Sequence, residues 1–150
     1  MDQKRTSAVG FSLPLRVYIE DTDAGGIVFY VNYLKYMERA RTELMRSLGF
    51  GKEFIFNNNS MFVVQDISLK YLQTAHLDEE LLATAKVEDC GAAHVLLTQS
   101  VLRDKSVLAR GSIKIVCVDK VSMKPKRMPQ EMYRALVATS LGAIKGEGQF

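Results

Sequence analysis

Four strand-like runs in the second half of the chain constrain the fold more than any other feature. They are Met61–Leu72, Leu81–Asp89, Ala93–Arg103 and Val107–Val118. Links of only a few residues, 90–92 and 104–106, join the last three. Links this short connect antiparallel neighbours, so the sequence predicts a meander of hairpins. The predicted inward-facing sets are Val63, Ile67, Leu69 and Tyr71; Leu81, Ala83, Ala85 and Val87; and Ile113, Ile115 and Cys117.

One long amphipathic helix, predicted from Tyr30 to Leu48, precedes these runs. At 100° per residue its apolar side chains fall on a single stripe, namely Tyr33, Met37, Ala40, Leu44 and Leu48. Arg41 lies nearer to this stripe than the other charges do, and we interpret it as a flanking residue whose charge reaches water. The helix should therefore pack one face against an apolar surface.

The segments at either end complete the fold class. From Phe11 to Glu20 apolar and polar residues alternate, which is the period-two pattern of a half-buried strand. A second helix is predicted from Pro129 to about Leu141, and a short apolar turn at residues 54–56. One strand, a long helix and four antiparallel strands indicate an α+β domain in which a single helix lies against a curled sheet.

The composition is that of one ordinary globular domain. The 150 residues are 47% hydrophobic and 25% charged, and we expect a single domain over residues 1–150 with its core at about 11–141 and loose ends. A net charge of +3 is too small to indicate nucleic acid as the main partner. No apolar run approaches the ~20 residues that a membrane helix needs, and no secretion signal follows the polar N-terminus, so we expect a cytoplasmic protein.

The stretch from Arg16 to Tyr33 is the best candidate for a functional site. It places Asp23 before Gly25 and Gly26, and then begins the long helix near Tyr30. Unpaired N–H groups at a helix start can hold a carbonyl oxygen that becomes negative during acyl transfer, and a nearby carboxylate can act as nucleophile or base. By itself the pattern also fits an aspartate that only caps the helix.

The same stretch resembles the signature of the 4-hydroxybenzoyl-CoA thioesterase family. The matching positions are Arg16-Val17, Thr22-Asp23, Gly26-Ile27-Val28 and Tyr33; Tyr30 departs from the pattern, since the family more often has His or Phe there. The run EDTDAGGIVFYVNYLKYMERARTELMR and the later segment IVCVDKVSMKPKRMP resemble the YbgC-type acyl-CoA thioesterases of this family. The resemblance covers about residues 12–140.

This resemblance implies a hotdog fold, in which a five-stranded antiparallel sheet wraps one long helix and subunits pair edge to edge, as a homodimer or homotetramer with the active site between subunits. It also implies hydrolysis of acyl-CoA without a metal or redox cofactor. The backbone N–H of Tyr30 would polarise the thioester carbonyl, and Gly26 and Ile27 would shape the turn. Asp23 would attack the carbonyl or activate a water, and the sequence does not choose between these roles.

The sequence also fits functions other than hydrolysis. A non-hydrolytic module that binds acyl thioesters or acyl carrier protein, linked to phospholipid or envelope complexes, is the main alternative. The basic segment from Lys120 to Arg127 is either a solvated linker or a patch for coenzyme A phosphates or acidic acyl carrier protein. His76 and His94 are predicted to be structural, Cys90 and Cys117 to be reduced thiols, and no motif indicates a metal site.

Overall fold

In the part of the chain that the structure describes, the main elements are five strands and two α-helices. The computed structural model describes residues 10–52 and 59–148, with side chains described up to Ser140. The strands are β1 (Phe11–Arg16), β2 (Ser60–Tyr71), β3 (Glu80–Cys90), β4 (His94–Arg103) and β5 (Ser106–Asp119); the helices are α1 (Val31–Ser47) and α2 (Gln130–Gly148). All strand pairs are antiparallel and form one sheet in the order β1-β3-β4-β5-β2. The predicted five-stranded antiparallel sheet with one long helix and a C-terminal helix is confirmed.

Helix α1 packs its apolar stripe against the β1-β3-β4 half of the sheet. The stripe residues Tyr33, Met37, Ala40 and Leu44 are buried, and Leu48 packs at the margin of the core. The predicted inward-facing sets of β3 and β5 are buried as well, which confirms Leu81, Ala83, Ala85, Val87, Ile113, Ile115 and Cys117. Helical and strand periodicity therefore identified the two faces that form the core.

A buried polar contact joins α1 to the sheet. Gln99 on β4 is fully buried; its Oε1 accepts a hydrogen bond from Arg41 Nη1 at 2.9 Å. Its Nε2 donates to the carbonyl oxygens of Met37 and Thr84, each at 2.9 Å. Arg41 is thus half-buried and bonded to the sheet, which goes beyond the flanking role predicted for it, and burial lowers the pKa of its guanidinium.

Strand β2 lies at the edge of the sheet, and β5 is the one described strand that it pairs with. A register shift between Val64 and Asp66 interrupts its alternation. Ile67 and Tyr71, predicted to face inward, are exposed in the single chain, so the prediction is wrong for these two positions. The physical reason is that α1 lies mainly over β1, β3 and β4, so only part of β2, including Phe62 and Leu69, packs against the core.

The first strand is shorter than predicted. β1 ends at Arg16, and a 3-10 turn occupies Ile19–Asp21 where the strand was expected to continue. Ile19 is 74% exposed rather than half-buried. The turn forms because the Thr22 N–H donates to the Ile19 carbonyl at 3.1 Å and the Tyr18 N–H donates to the Asp21 carboxylate at 2.9 Å.

The last helix is longer than predicted. α2 continues to Gly148, past the expected end at Leu141, so the prediction of a frayed tail from Gly142 is wrong over 142–148. A glycine inside a helix costs only about 1 kcal/mol and need not end it. The predicted apolar turn at 54–56 and the loose N-terminus at 1–9 lie outside the described residues. Neither helix described here is long and apolar enough to span a membrane.

Candidate active site

Asp23 stands at the corner of a tight turn that follows the 3-10 turn. The turn is closed by an isolated bridge between Thr22 and Val28 and by the Asp23 N–H, which donates to the Ile27 carbonyl at 3.0 Å. The side chain is exposed, and its Oδ1 accepts the Gly25 N–H at 2.9 Å. Oδ2 accepts no hydrogen bond from the described residues. One carboxylate oxygen is therefore held by the turn while the other is free.

Gly26 gives the turn its shape. Its φ is +76°, in the left-handed region that favours glycine, and a side chain placed there would meet no atom within 4 Å. The Gly26 carbonyl accepts the Leu77 N–H at 3.0 Å, and Ile27 bridges to His76. The turn is thus paired with the connection between β2 and β3, and the requirement for glycine at 26 comes from the backbone conformation rather than from crowding.

The start of α1 presents an unused donor. Tyr30 has φ −57° and ψ −30°, and the N–H groups of Asn32 and Tyr33 donate to the carbonyls of Phe29 (2.8 Å) and Tyr30 (3.3 Å). The N–H of Tyr30 itself donates to no acceptor in the part of the chain that the structure describes. A backbone donor of this kind can stabilise an oxyanion without losing an existing bond.

Aromatic side chains cluster around the ring of Tyr30 at the start of α1. The ring of Tyr30, 60% exposed, lies 5.0 Å from the Phe29 ring and 6.1 Å from the Tyr71 ring, centroid to centroid. The Tyr33 ring is 5.6 Å from the Tyr71 ring, and the hydroxyl of Tyr33 accepts the Ala75 N–H at 2.9 Å. Burial, and then the neighbouring phenols of Tyr30 and Tyr33, raise the pKa of Tyr71. Tyr71 was not among the predicted site residues; its aromatic character at the end of a strand was the only signal.

Asp21 joins the turn to the helix start and was also missed. It is 4% exposed, and its carboxylate accepts hydrogen bonds from the Tyr18 N–H (2.9 Å) and from Asn32 Nδ2 (2.8 Å). Its carbonyl accepts the Phe29 N–H at 3.0 Å. The four predicted site residues, Asp23, Gly26, Ile27 and Tyr30, therefore belong to one hydrogen-bonded unit. The sequence of the acidic run, residues 20–23, does not indicate that Asp21 is buried while its acidic neighbours are exposed.

A single chain does not enclose this unit. Two surface cavities of about 440 and 350 Å³ lie elsewhere, one along β1 and β3 beside Arg16 and Glu80, the other on the outer side of α1 beside Arg39 and Glu43. His76 and His94 contact Glu79 and Asp89. No cluster of His, Cys, Asp and Glu able to hold a metal ion occurs among the described side chains of residues 10–52 and 59–140. The chemistry available here is that of a free carboxylate oxygen and a free backbone donor at one end of the sheet.

The basic segment follows β5 and lies apart from this unit in the chain. The Asp119 carboxylate accepts the N–H groups of Val121 (3.0 Å) and Ser122 (2.8 Å), and Lys126 Nζ lies 3.9 Å from Asp119 Oδ1. Val121 and Met123 are exposed between the lysines. Part of the positive charge of this segment is thus neutralised within the loop.

Comparison with known proteins identifies the family and the fold of this chain. Residues 17–136 match the family model described as the thioesterase-like superfamily. The chain is 39% identical over 127 residues to the acyl-CoA thioesterase YbgC of Haemophilus influenzae, covering 84% of this chain and 93% of that protein. It is 33% identical over 123 residues to the acyl-CoA thioester hydrolase YbgC of an Escherichia coli O6:H1 strain, covering 81% and 92%. The crystal structure of a probable thioesterase from Bartonella henselae aligns with a TM-score of 0.73 at 27% identity, over 79% of this chain and 98% of that one. The hotdog fold implied by the sequence resemblance is confirmed, and the chain belongs to the thioesterase-like superfamily.

Proposed function

We propose that this protein hydrolyses acyl-CoA thioesters to the free acid and coenzyme A. Relatives that share a third or more of their residues with it over most of their length carry the names acyl-CoA thioesterase and thioester hydrolase. The observation that carries the proposal is the unpaired N–H of Tyr30, which starts α1 directly after a turn that exposes Asp23. Acyl transfer needs a donor for the carbonyl oxygen and a group that attacks or activates water, and this unit offers both.

The proposed reaction begins with the thioester carbonyl oxygen bound to the Tyr30 N–H. In the nucleophilic route, Asp23 Oδ2 attacks the carbonyl carbon, the C–S bond breaks, coenzyme A leaves as the thiolate and takes up a proton, and water then hydrolyses the mixed anhydride. In the general-base route, Asp23 takes a proton from water as the water oxygen attacks the same carbon; the C–S bond then breaks, and the departing coenzyme A thiolate takes up the proton. Label found on Asp23 after a single turnover in ¹⁸O-labelled water identifies the nucleophilic route, because only attack of water on the aspartyl carbonyl of the anhydride can place it there.

The first test replaces the carboxylate. Asp23→Asn keeps an oxygen that accepts the Gly25 N–H but removes the nucleophile or base, so we expect kcat to fall by about 10²–10⁴-fold with substrate binding retained. The measurement is thiol release from a panel of acyl-CoA thioesters, with binding followed by calorimetry. Asp104→Asn is the matched control, because Asp104 is exposed in the β4–β5 turn with φ 55°, which Asn tolerates. Asp23→Asn activity within a few fold of the control would remove Asp23 from the mechanism.

The proposal includes a homodimer that pairs β2 with β2 of a second copy. β2 is twelve residues long, no described strand pairs with its outer side, and Val64, Ile67 and Tyr71 on it are exposed. Long apolar edge strands are rare on monomers, because their free N–H and C=O groups pair with other chains. Pairing there would enclose the open surface around Tyr30, since the Tyr30 and Tyr71 rings touch at the end of β2.

A charge placed on the edge tests the dimer. We expect Val64→Lys/Ile67→Lys to shift the mass measured by sedimentation to that of the monomer, 16.8 kDa, and to abolish turnover if the site needs both subunits. Val121→Lys, at a position 84% exposed on the basic loop, is the control and should leave mass unchanged. A double variant that sediments as the control does would place the interface elsewhere, and a wild-type mass of four chains would indicate the tetramer.

A non-hydrolytic module that binds acyl thioesters or acyl carrier protein is the second candidate, and the basic segment with Val121 and Met123 exposed favours it as a surface for an acidic carrier. Binding of acyl-CoA without thiol release at any chain length would support this candidate. Turnover of acyl groups on carrier protein but not on coenzyme A would keep the hydrolase and change its carrier.

A further inference from the structure

Asp21 is the only charged side chain that is fully buried within the described residues. A buried carboxylate is costly unless its oxygens accept hydrogen bonds. Both oxygens of Asp21 do so: Oδ2 accepts the backbone N–H of Tyr18, and Oδ1 accepts the side-chain amide of Asn32. From the sequence alone, Asp21 would be expected on the surface with the other acidic residues of its run. Its burial therefore indicates a structural or functional role.

These bonds connect three separate pieces of the proposed site. Tyr18 lies just beyond β1, at the entrance to the 3-10 turn, and Asn32 lies in the first turn of α1. The Asp21 carbonyl holds the N–H of Phe29, the residue before Tyr30. The turn that carries Asp23 lies between Asp21 and Phe29. Asp21 therefore fixes the position of this turn relative to the start of α1.

Direct participation in chemistry does not fit Asp21. Its side chain is 4% exposed and both of its oxygens are engaged, whereas Asp23 is exposed with Oδ2 free. Beside Asp21 lies the buried hydroxyl of Tyr36, which is close enough to the Asp21 carboxylate and to Asn32 to interact with both. Burial, and then the charge of Asp21, raise the pKa of that hydroxyl. Tyr36 therefore belongs to the immediate surroundings of the bond between Asp21 and Asn32.

We infer that Asp21 is a positioning residue for thioester hydrolysis: through Asn32 and Phe29 it holds the Tyr30 N–H at the place where the carbonyl attacked from Asp23 must bind. This role rests on the proposed function and extends it to a residue that touches no substrate. Displacing a catalytic group by about 1 Å can lower a rate by about 10²-fold even when the fold persists. Loss of the hydrogen bond between Asp21 and Asn32 is thus expected to lower kcat.

An exchange of the two side chains tests this role, because carboxylate and amide have nearly the same shape. Asn32→Asp places two carboxylates against each other, and we expect kcat to fall by about 10- to 100-fold with KM changed by less than about threefold. Adding Asp21→Asn restores the bond with donor and acceptor exchanged: Asn at 21 still accepts the Tyr18 N–H and donates to Asp at 32. The double variant should recover kcat to within about threefold of wild type.

The control and the thermal readout separate positioning from mere folding. Asn59→Asp is the matched control: it also places two carboxylates against each other, at the 2.8 Å hydrogen bond from Asn59 Nδ2 to Asp119 Oδ1 outside the proposed site, so kcat should stay within about twofold of wild type. Each variant is assayed well below its Tm with circular dichroism confirming the fold, and with titration of binding sites by non-hydrolysable acyl-CoA. A purely structural role would lower Tm while leaving kcat per folded site unchanged, and that result would overturn the inference.

Two further outcomes are decisive. If Asn32→Asp does not fold, Asn32→Ser, which is too short to reach Asp21 Oδ1, gives the same kcat test, and wild-type kcat in that variant would overturn the inference. A double variant that regains Tm but not kcat would also contradict it. Failure of the proposed function looks different, since Asp23→Asn would then keep its activity or the wild-type protein would release no thiol.

Discussion

Replacing Tyr30 by proline would remove the proposed oxyanion donor and little else. The backbone of Tyr30 has φ −57°, close to the value of about −65° that a proline ring imposes, and proline is favoured in the first turn of helices. The N–H that the substitution deletes makes no hydrogen bond to the described residues. The chain can therefore lose this donor without leaving an acceptor unpaired.

The expected magnitude follows from that geometry. Loss of one oxyanion donor costs about 3–4 kcal/mol of transition-state stabilisation, which is a fall of about 10²–10³-fold in kcat. Stability should change by less than about 1 kcal/mol, because no internal bond breaks and the ring that is lost is 60% exposed. Tyr30→Ala is the matched control: it also loses the ring but keeps the N–H, so its kcat should stay near that of wild type.

The assay compares kcat and KM for thiol release from one acyl-CoA by the two variants, with thermal unfolding measured at a fixed protein concentration. A Tyr30→Pro variant that folds and turns over within about threefold of Tyr30→Ala would refute the role of the backbone donor. Equal and large losses in both variants would instead assign the function to the phenol ring.

Three further predictions concern the surroundings of the site. Gln99→Met keeps the side-chain volume but deletes three buried hydrogen bonds, one of them to charged Arg41, so the free energy of unfolding should fall by about 3–4 kcal/mol in urea titrations; a loss below about 1 kcal/mol would contradict the bonding described. Gly26→Ala meets no atom within 4 Å but must adopt φ +76°, so it should cost about 1–2 kcal/mol, and Gly26→Asn less, whereas equal costs would show that conformation is not the cause. Burial first, and then Asp89, raise the pKa of the partly buried Cys90 thiol to about 11, and burial raises the pKa of the buried Cys117 thiol, so a disulfide reagent at pH 8 should label both thiols slowly in the native protein and fully after unfolding. Rapid native labelling of Cys117 would contradict its burial.

The proposed site was only partly predictable. Asp23, Gly26, Ile27 and Tyr30 came from the resemblance to a family, and the structure places them in one turn and helix start. Their surroundings could not be predicted from spacing. The Tyr71 ring reaches Tyr30 from the far end of β2, a contact that depends on how the sheet curls around α1.

Local sequence patterns were enough to predict the elements and most of the buried faces, because periods of 2 and 3.6 residues are local properties of strands and helices. They indicated the inward set of β3 and the stripe of α1 correctly. The burial of Asp21, the bond from Arg41 to Gln99 and the exposure of Ile67 arise instead from packing between distant segments. Each of these three features depends on which distant segment of the chain packs against the residue. The strand order and the part of the sheet that α1 covers decide this, and neighbouring residues in the chain do not.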